Sequence, residues 1–378
     1  MIKGSITVRP QAFAAAAKWA AKFIALKPAA PVQGGLLLEV DDSGLTVTAY
    51  SEHITARAYV PVEGAGEGRV VVSGRLLAEL AGTFPDKEVT ITGDEAAEQV
   101  TITVGRWRGT LPSMDLSEWP SLAEAPAAIG TVGGDALASM IADVNVATKK
   151  DGKGLLVLAC MYLAIGDARI TALATDSSRA ARASVPLGPM DGEDDVTGLS
   201  ALVLGATMAE VAGAFTGPDD ITVGLNAGSI SLTSQTRSVV MRQMGEKFDA
   251  VTVGSFFTRA AELPEHAQVK REDLLQPMKR AAIIREKEGP IKVSFSADLI
   301  TLRAAAEDVK RDSDEEVEAV YAGPDHTLSF NPKYFAEAVA SAPGEVVDIT
   351  MTTERVTGVL LRVEGAAWEH VLMPLRAR

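Results

Sequence analysis

Hydroxyl and acidic side chains stand side by side in the segment ALATDSSRAA, so hydrolytic chemistry is the first to consider. Ser177 and Ser178 follow Asp176 directly, and hydrolases combine a nucleophile with an acid. A hydrolase of this kind would also have a G-x-S-x-G turn and a histidine base. The chain has no such turn, and none of its 4 histidines has a recognisable catalytic setting. An enzyme remains an alternative, but Asp176 is equally suited to bracing a turn, and we expect no catalytic residue.

Metal and phosphate chemistry also lacks its usual motifs. The acidic run Asp191–Asp195 does not have the ligand spacing of a calcium loop, so a solvated turn is the better interpretation. A single cysteine, Cys160, and 4 histidines argue against a dedicated zinc site. No G-x-x-x-x-G-K-[ST] loop is present. We therefore expect neither a metal nor a cofactor.

Basic side chains are grouped near predicted helices, although the chain as a whole is acidic. The net charge is −14, which argues against a protein that coats nucleic acid but leaves open a localised basic surface. Helices that all faced one side would present such a surface to phosphates, with weak, sequence-independent binding. Ordinary solvated lysines are the alternative for each single position. The candidate DNA-facing residues are Lys18, Lys22, Lys27, Arg75, Lys149, Lys150, Lys153, Lys279, Arg280 and Lys333.

The C-terminal segment VLMPLRAR combines apolar and basic residues that suit peptide recognition. Met373 and Leu375 offer an adaptable apolar surface, and Arg376 could hold a carboxylate or a carbonyl group. Asn331 and Pro332 form a normal helix start, with Asn as N-cap and Pro in the first position.

The chain repeats one pattern of elements three times. VVVSGRLLAELAGTF from Val70, ALVLGATMAEVAGAF from Ala201 and HTLSFNPKYFAEAVA from His326 each combine a strand with a short helix, at a period of roughly 125–130 residues. A second series, from Ile6, Thr131 and Ala267, combines a strand, a helix and an antiparallel strand pair. Helices on one face of antiparallel sheet predict an α+β fold of three similar domains, with boundaries at 1–127, 128–254 and 255–378.

With this repeat in view, the sequence resembles the bacterial DNA polymerase III β subunit, the β sliding clamp, over essentially its whole length. Four short segments carry the resemblance: KPAAPVQGGLLLEV from Lys27, ALATDSSRAA from Ala172, SFNPKYFAEAV from Ser329 and the ending VLMPLRAR. Each is weak alone, but all four occur in the family's order and spacing. Phe248–Val251 lacks the family's proline, and Ala180 replaces its usual Leu, so a divergent, phage-encoded or second-copy clamp is expected.

The resemblance implies a head-to-tail homodimer that closes into a ring of six similar domains. Helices would line the hole and sheets would form the outside. The ring would encircle double-stranded DNA independently of sequence and tether the replicative DNA polymerase, which raises the polymerase's effective concentration at the primer end. An ATP-driven clamp loader would open it. The implied dimer-interface residues are Leu111, Ile283 and Ile284, for which core packing is the alternative.

The resemblance also implies one apolar pocket, shared by polymerase, loader and repair proteins, that receives short peptides with apolar anchors. The implied pocket residues are Leu158, Thr175, Asp176, Ser177, Ser178, Arg179, Ala180, Val253, Asn331, Tyr334, Val371, Leu372, Met373, Pro374, Leu375 and Arg376.

Two further expectations complete the sequence-based interpretation. A single cysteine and no apolar run of roughly 18–20 residues predict a cytoplasmic protein without a membrane partner. The resemblance implies that it acts at replication forks. A repeat-built binding or structural protein that never encircles DNA is the second alternative. It would differ from a clamp in being monomeric or open, with its basic helices on different faces.

Overall fold

The computed structural model of the 378-residue chain describes all residues except 26, 151–153, 190–196, 285–288, 307–310, 353–357 and 376–378. Within the described part, 24 strands and seven α-helices are present. The prediction of an α+β fold is confirmed. No helix in the described part is long and apolar enough to cross a membrane.

The same order of elements occurs three times: one strand, a helix, four strands, a second helix and three strands. The first copy consists of β1 (Lys3–Val8), α1 (Pro10–Ala21), β2 (Gly35–Asp41), β3 (Gly44–Ser51), β4 (Ile54–Val60), β5 (Gly66–Ser73), α2 (Gly74–Ala81), β6 (Val89–Asp94), β7 (Gln99–Val104) and β8 (Trp107–Met114). The second consists of β9 (Ala128–Gly133), α3 (Gly134–Asn145), β10 (Cys160–Gly166), β11 (Arg169–Thr175), β12 (Arg179–Pro186), β13 (Ser200–Leu204), α4 (Gly205–Gly213), β14 (Asp220–Leu225), β15 (Ser229–Thr233) and β16 (Arg237–Arg242).

The third copy follows a linking helix, α5 (Ala250–Ala261), which has no counterpart between the first two copies. It consists of β17 (Glu265–Lys270), α6 (Arg271–Ile284), β18 (Ile291–Ser296), β19 (Leu299–Ala306), β20 (Arg311–Tyr321), β21 (His326–Phe330), α7 (Pro332–Ala340), β22 (Val346–Met351), β23 (Val359–Arg362) and β24 (Trp368–Leu372). Pro277 lies inside α6, where a proline usually kinks or shortens a helix, and α6 nevertheless runs for 14 residues.

The strands form two sheets of 12 strands, and each sheet belongs to one compact unit of the chain. The first has the order β1-β6-β7-β8-β5-β2-β3-β4-β16-β15-β14-β9, and the second β13-β10-β11-β12-β24-β23-β22-β17-β20-β19-β18-β21. The first unit is formed mainly by Met1–Thr131 and Asp219–Gln243, and the second mainly by Val132–Gly188 and Met244–Arg378. The second copy therefore contributes strands to both sheets.

Alternating side chains explain the packing within each unit. In β3, Leu45, Val47 and Ala49 are fully buried, while Thr46 and Tyr50 on the opposite face are only partly buried. The two helices of each copy pack against each other, α1 on α2, α3 on α4 and α6 on α7. Full burial of a Leu or Phe side chain contributes about 1.5–3 kcal/mol, so these apolar layers are the main source of stability.

Candidate functional site

A tight turn between β11 and β12 holds the centre of the expected pocket. The Thr175 hydroxyl donates to the Arg179 carbonyl oxygen at 2.7 Å, and Asp176 Oδ1 accepts from the Ser178 amide at 2.9 Å. Ser177 has a φ of 77°, in the left-handed region, as the turn requires. Asp176 therefore braces this turn, as the alternative interpretation of the sequence proposed.

A buried cluster of charges surrounds Arg179. Its Nε donates to Asp176 Oδ2 at 3.0 Å, and its terminal Nη1 lies 2.7 Å from Glu337 Oε2 on α7. The guanidinium also stacks 4.2 Å from the ring centroid of Tyr334. Only 3% of the Arg179 side chain is exposed, so two carboxylates compensate one buried cation.

His370 on β24 is buried close enough to this cluster for the charge of Arg179 to affect it. It is opposite Ala181 in the β12–β24 pairing, it is completely buried, and both ring nitrogens lack a hydrogen-bond partner within the described structure. Burial, and next the positive charge of Arg179, lower the pKa of His370 to about 3. The imidazole is therefore neutral at neutral pH, and Arg179 is the cation of this site.

An apolar cluster contains several of the residues expected to line the pocket. Leu173, Ala180, Val253, Phe257, Leu360 and Val371 belong to it, together with Ala260 and Leu263. Tyr162 and Phe248 pack against it and stack on each other, with ring centroids 5.3 Å apart. The structure thus brings three predicted pocket residues, Ala180, Val253 and Val371, into one cluster.

The C-terminal segment runs along this cluster. The Met373 amide donates to the Ser178 carbonyl oxygen at 3.0 Å, and the Leu375 amide donates to the Ser329 carbonyl oxygen at 2.7 Å. Met373 and Leu375 are 47% and 43% exposed, whereas Pro374 is buried. Two apolar side chains therefore remain accessible beside the Arg179 cluster, as a peptide-binding surface requires.

The other predicted pocket residues occupy varied positions. Asn331 caps α7, with its side-chain oxygen accepting from the amides of Lys333 at 3.0 Å and Tyr334 at 3.4 Å. Leu158 is half-buried and its carbonyl oxygen accepts from the Lys149 amide, while Leu372 is buried. Arg376 lies outside the described residues.

Several contributors were not found from the sequence. Five residues that were not predicted as site residues lie in or beside the Arg179 cluster and the apolar cluster: Glu337, His370, Leu173, Phe257 and Phe248. Glu337 belongs to an Ala-Glu pair that recurs in all three copies, at residues 78–79, 209–210 and 336–337. The recurrence of this pair was the sequence signal that could have drawn attention to Glu337. Its contact with Arg179 could not be predicted, because the two residues are far apart in the chain.

The candidate DNA-facing residues are mostly exposed. Lys18 lies on α1 and Lys22 caps its C-terminus, Arg75 lies on α2, Lys279 and Arg280 on α6, and Lys333 on α7, all of them exposed. Lys27 and Lys150 are exposed outside the helices, Lys149 is half-buried, and Lys153 lies outside the described residues. Arg280 is ion-paired with Glu315, and its hydrogen bond is the main cause that lowers the pKa of Glu315.

The middle copy offers little positive charge on its helices. Both α3 and α4 lack basic residues, and α3 carries Asp135 and Asp143. Burial raises the pKa of Asp143 to about 6, an effect partly opposed by its hydrogen bond with Ser139. Any basic lining would therefore be uneven.

The three candidate interface residues differ in exposure. Ile283 is 74% exposed near the end of α6, Ile284 is partly buried, and Leu111 on β8 is only 5% exposed. Core packing therefore describes Leu111 within this chain. The described residues contain no cluster of three or more His, Cys, Asp or Glu that could hold a metal ion, and the acidic run 191–195 lies outside them.

Comparison with known proteins matches both ends of the chain to one family. Models of the DNA polymerase III beta subunit match in the N-terminal domain over residues 5–123 and in the C-terminal domain over residues 261–376, together more than half of the chain. The beta sliding clamp of Streptomyces coelicolor is 28% identical, covering 98% of this chain and 99% of that protein. The Micrococcus luteus beta sliding clamp is 29% identical over 80% of this chain and 95% of its own length.

Solved structures have the same fold. The DNA polymerase sliding clamp of Pseudomonas aeruginosa matches with a TM-score of 0.89 at 21% identity, over 99% of this chain and 100% of the other. That of Bacillus subtilis also gives 0.89, at 17% identity over the whole of both chains.

Proposed function

The chain belongs to the DNA polymerase III beta subunit family, and on that premise we propose that it is a DNA sliding clamp, the processivity subunit of a replicative DNA polymerase. The observation that carries the proposal is the threefold order of elements in a chain that matches clamp relatives along nearly its full length. A repeat-built protein unrelated to DNA is not favoured, because both terminal thirds match this one family.

The mechanism is topological. A closed ring around a duplex leaves it only by opening, so it needs no tight contact with DNA and can slide along it. The exposed basic residues on α1, α2 and α6 would supply weak phosphate contacts that are independent of base sequence. A polymerase bound to the ring then stays at high effective concentration near the primer end.

The Arg179 cluster and the apolar residues beside it are the proposed peptide site. Met373 and Leu375 are accessible apolar groups next to a buried cluster, and short peptides with apolar anchors bind such surfaces. Polymerase, an ATP-driven clamp loader and repair proteins would compete for it. Ala180, with a smaller side chain than the Leu of the family pattern, is buried within this apolar cluster.

Two copies of the chain would close the ring head to tail, with domains near 1–127, 128–254 and 255–378 in each. Ile283 supports a subunit contact, since a side chain that is 74% exposed and fully apolar gains from being covered. Ile284 and Leu111 would lie at the edge of the same contact. A cytoplasmic location at replication forks follows from this function.

Loading on circular DNA tests the function. The protein is loaded by a clamp loader onto nicked circular duplex, and the DNA is then linearised by a restriction enzyme. We expect release from the linear ends with retention on the circle. Equal retention on both forms would show ordinary DNA binding and overturn the proposal.

A further inference from the structure

The two strand pairings that join consecutive copies of the repeat have the same backbone geometry. At the first junction β4 pairs with β16, and at the second junction β12 pairs with β24, both antiparallel. The Arg242 amide donates to the His53 carbonyl oxygen at 3.0 Å. In the same way, the Met373 amide donates to the Ser178 carbonyl oxygen at 3.0 Å. These two hydrogen bonds fix which positions of the two junctions are equivalent.

An arginine occupies the same position in each junction, but the residue opposite it differs. Counting four residues on from the bonded carbonyl group reaches Arg57 in the first junction and Arg182 in the second. Arg182 lies directly opposite Glu369, and its Nε donates to Glu369 Oε2 at 3.0 Å. Arg57 lies directly opposite Ser238, which carries no charge. The first junction therefore lacks the carboxylate that neutralises the equivalent arginine in the second.

Arg57 is a half-buried cation without a carboxylate in ion-pair distance among the residues that the structure describes. Its Nη2 donates a long hydrogen bond, 3.4 Å, to the Ala123 carbonyl oxygen. Burial lowers the pKa of Arg57, and the more distant negative charge of Glu39 opposes this effect. Glu39 itself lies 3.8 Å from Arg69. Because a desolvated cation is stabilised by a hydrogen-bonded anion, the position of Arg57 favours the binding of one.

Hydroxyl groups lie on both strands that flank Arg57. Ser238 is on one side, and Thr48 on β3 is directly opposite Arg57 on the other. Thr48 is completely buried, and its Oγ1 has no hydrogen-bond partner within the described part of the chain. The residue equivalent to Thr48 at the second junction is Leu173, opposite Arg182. A hydroxyl group can donate to an anion and a leucine cannot, so polar groups surround the arginine at the first junction alone.

A cavity of about 240 Å³ lies beside Arg57, where β3 and β4 meet the turn from β15 to β16. Arg237, the first residue of β16, lines the cavity as a second cation, and its guanidinium lies 5.3 Å from the Trp19 ring centroid. The described residues that line the cavity include no aspartate or glutamate. The aliphatic hydroxyl groups of the lining belong to Thr46, Thr233, Ser234, Thr236 and Ser238.

Two guanidinium groups and several hydroxyl donors suit a small oxyanion with two negative charges. Guanidinium groups bind phosphate through paired hydrogen bonds. A phosphate monoester carries a charge of about −1.5 to −2 near neutral pH, which matches two arginines. The cavity is smaller than the roughly 300–1,000 Å³ of sites for drug-sized ligands, so it fits a phosphate group with a small part of the molecule that carries it.

We propose that this cavity at the first junction binds a phosphate group, free or as the monoester of a small molecule, between Arg57 and Arg237. The anion has the role at the first junction that the Glu369 carboxylate has at the second. It contacts strands of the first and the second copy, so its binding stabilises their junction. The site is independent of the proposed ring and of the peptide site, so its failure would leave the clamp function unaffected.

Equilibrium dialysis of the full chain with radiolabelled inorganic phosphate, at constant ionic strength, tests the site. We expect one phosphate per chain with a Kd of about 1 mM or tighter. Arg57→Gln removes the central cation, and Ser238→Glu supplies the carboxylate that the second junction has. Each variant should therefore bind phosphate at least about tenfold more weakly. Arg69→Gln is the matched control, because Arg69 is an exposed arginine of the same compact unit outside this cavity, and it should bind phosphate as the native chain does.

Three results would overturn the proposal. The native chain could show no saturable binding at about 10 mM phosphate, or Ser238→Glu could bind as the native chain does. Arg57→Gln and Arg69→Gln could also weaken binding equally, which would be a general effect of charge. Urea unfolding gives a second measurement that a partly destabilised variant still passes or fails. Phosphate should raise the midpoint of the native and Arg69→Gln chains by more than those of the other two variants.

Competition distinguishes the sources of the phosphate group. Unlabelled phosphate and adenosine monophosphate are compared as competitors of the labelled phosphate. Stronger competition by the nucleotide would identify an ester as the ligand, and weaker competition would identify free phosphate. Equal competition would mean that the site recognises the phosphate group alone.

Discussion

Two arginines on one strand have very different surroundings and give a matched pair of substitutions. The Arg179 side chain is 3% exposed between Asp176 and Glu337, and the Arg182 side chain is 38% exposed beside Glu369. Arg179→Met would leave the buried Asp176 carboxylate and the partly buried Glu337 carboxylate without their cation, so we expect the free energy of unfolding to fall by about 3–5 kcal/mol. Urea denaturation at neutral pH measures this loss.

Arg182→Met is the control for that substitution. Its ion pair is partly exposed to solvent, so a loss of about 1 kcal/mol or less is expected. Equal losses for the two variants would contradict the view that burial of Arg179, and not the presence of an ion pair, dominates the stability of the site.

At the scale of single residues, local motifs were predictable and long-range partners were not. The turn from Thr175 to Arg179 could be recognised because its hydrogen bonds join neighbours in sequence. The contact from Arg179 to Glu337 could not, because it depends on the pairing of β12 with β24, which places α7 beside that turn. The pairing register of strands that are far apart in sequence cannot be predicted from a local sequence pattern.

At the scale of elements, substitutions at the N-cap of α7 can distinguish a role in helix capping from a role in peptide binding. The Asn331 side chain caps α7 and is also an expected pocket residue. Asn331→Ala removes the cap, so we expect a loss of about 1 kcal/mol in unfolding free energy, whereas Asn331→Ser keeps a capping oxygen and should be nearly neutral.

Peptide affinity then decides the role of Asn331. Binding of a fluorescent peptide with apolar anchors is measured by anisotropy for both variants. If Asn331 only caps the helix, the Ser variant binds as the native chain does. If both variants bind equally weakly, the amide itself contacts the peptide.

Most elements followed from periodicity and caps, and α5 is the exception. The sequence predicted a domain boundary after residue 254, but Asp249 caps a 12-residue helix across that position by accepting from the Thr252 amide. Val253, Phe257 and Ala260 form its buried face at helical spacing. The helical spacing of these residues was present in the sequence. It did not lead to a predicted helix, because the segment was compared with a family segment whose proline is missing here.

For the whole molecule, the salt dependence of DNA binding tests whether α1 faces the duplex. Lys18→Ala combined with Lys22→Ala removes two exposed charges from one helix. If both contact phosphates, the slope of log K against log salt should become shallower by about 0.9 for each. Anisotropy of a labelled duplex at several salt concentrations gives this slope for the unloaded protein.

Lys292→Ala is the corresponding control, because Lys292 is exposed on strand β18 and not on a helix. Its slope should match that of the native chain. A shallower slope for the control but not for the α1 variant would mean that DNA meets the strands and not the helices.

Because the second copy contributes strands to both sheets, the first sheet cannot be completed until much of the chain has been synthesised. The strand β4 acquires its neighbour β16 only after residues 237–241 have been made. When only the first third of the chain has been synthesised, the edge of β4 is therefore unpaired. Unpaired strand edges promote aggregation. We therefore expect the nascent chain to need chaperones that protect this edge until nearly two thirds of the polypeptide has emerged from the exit tunnel.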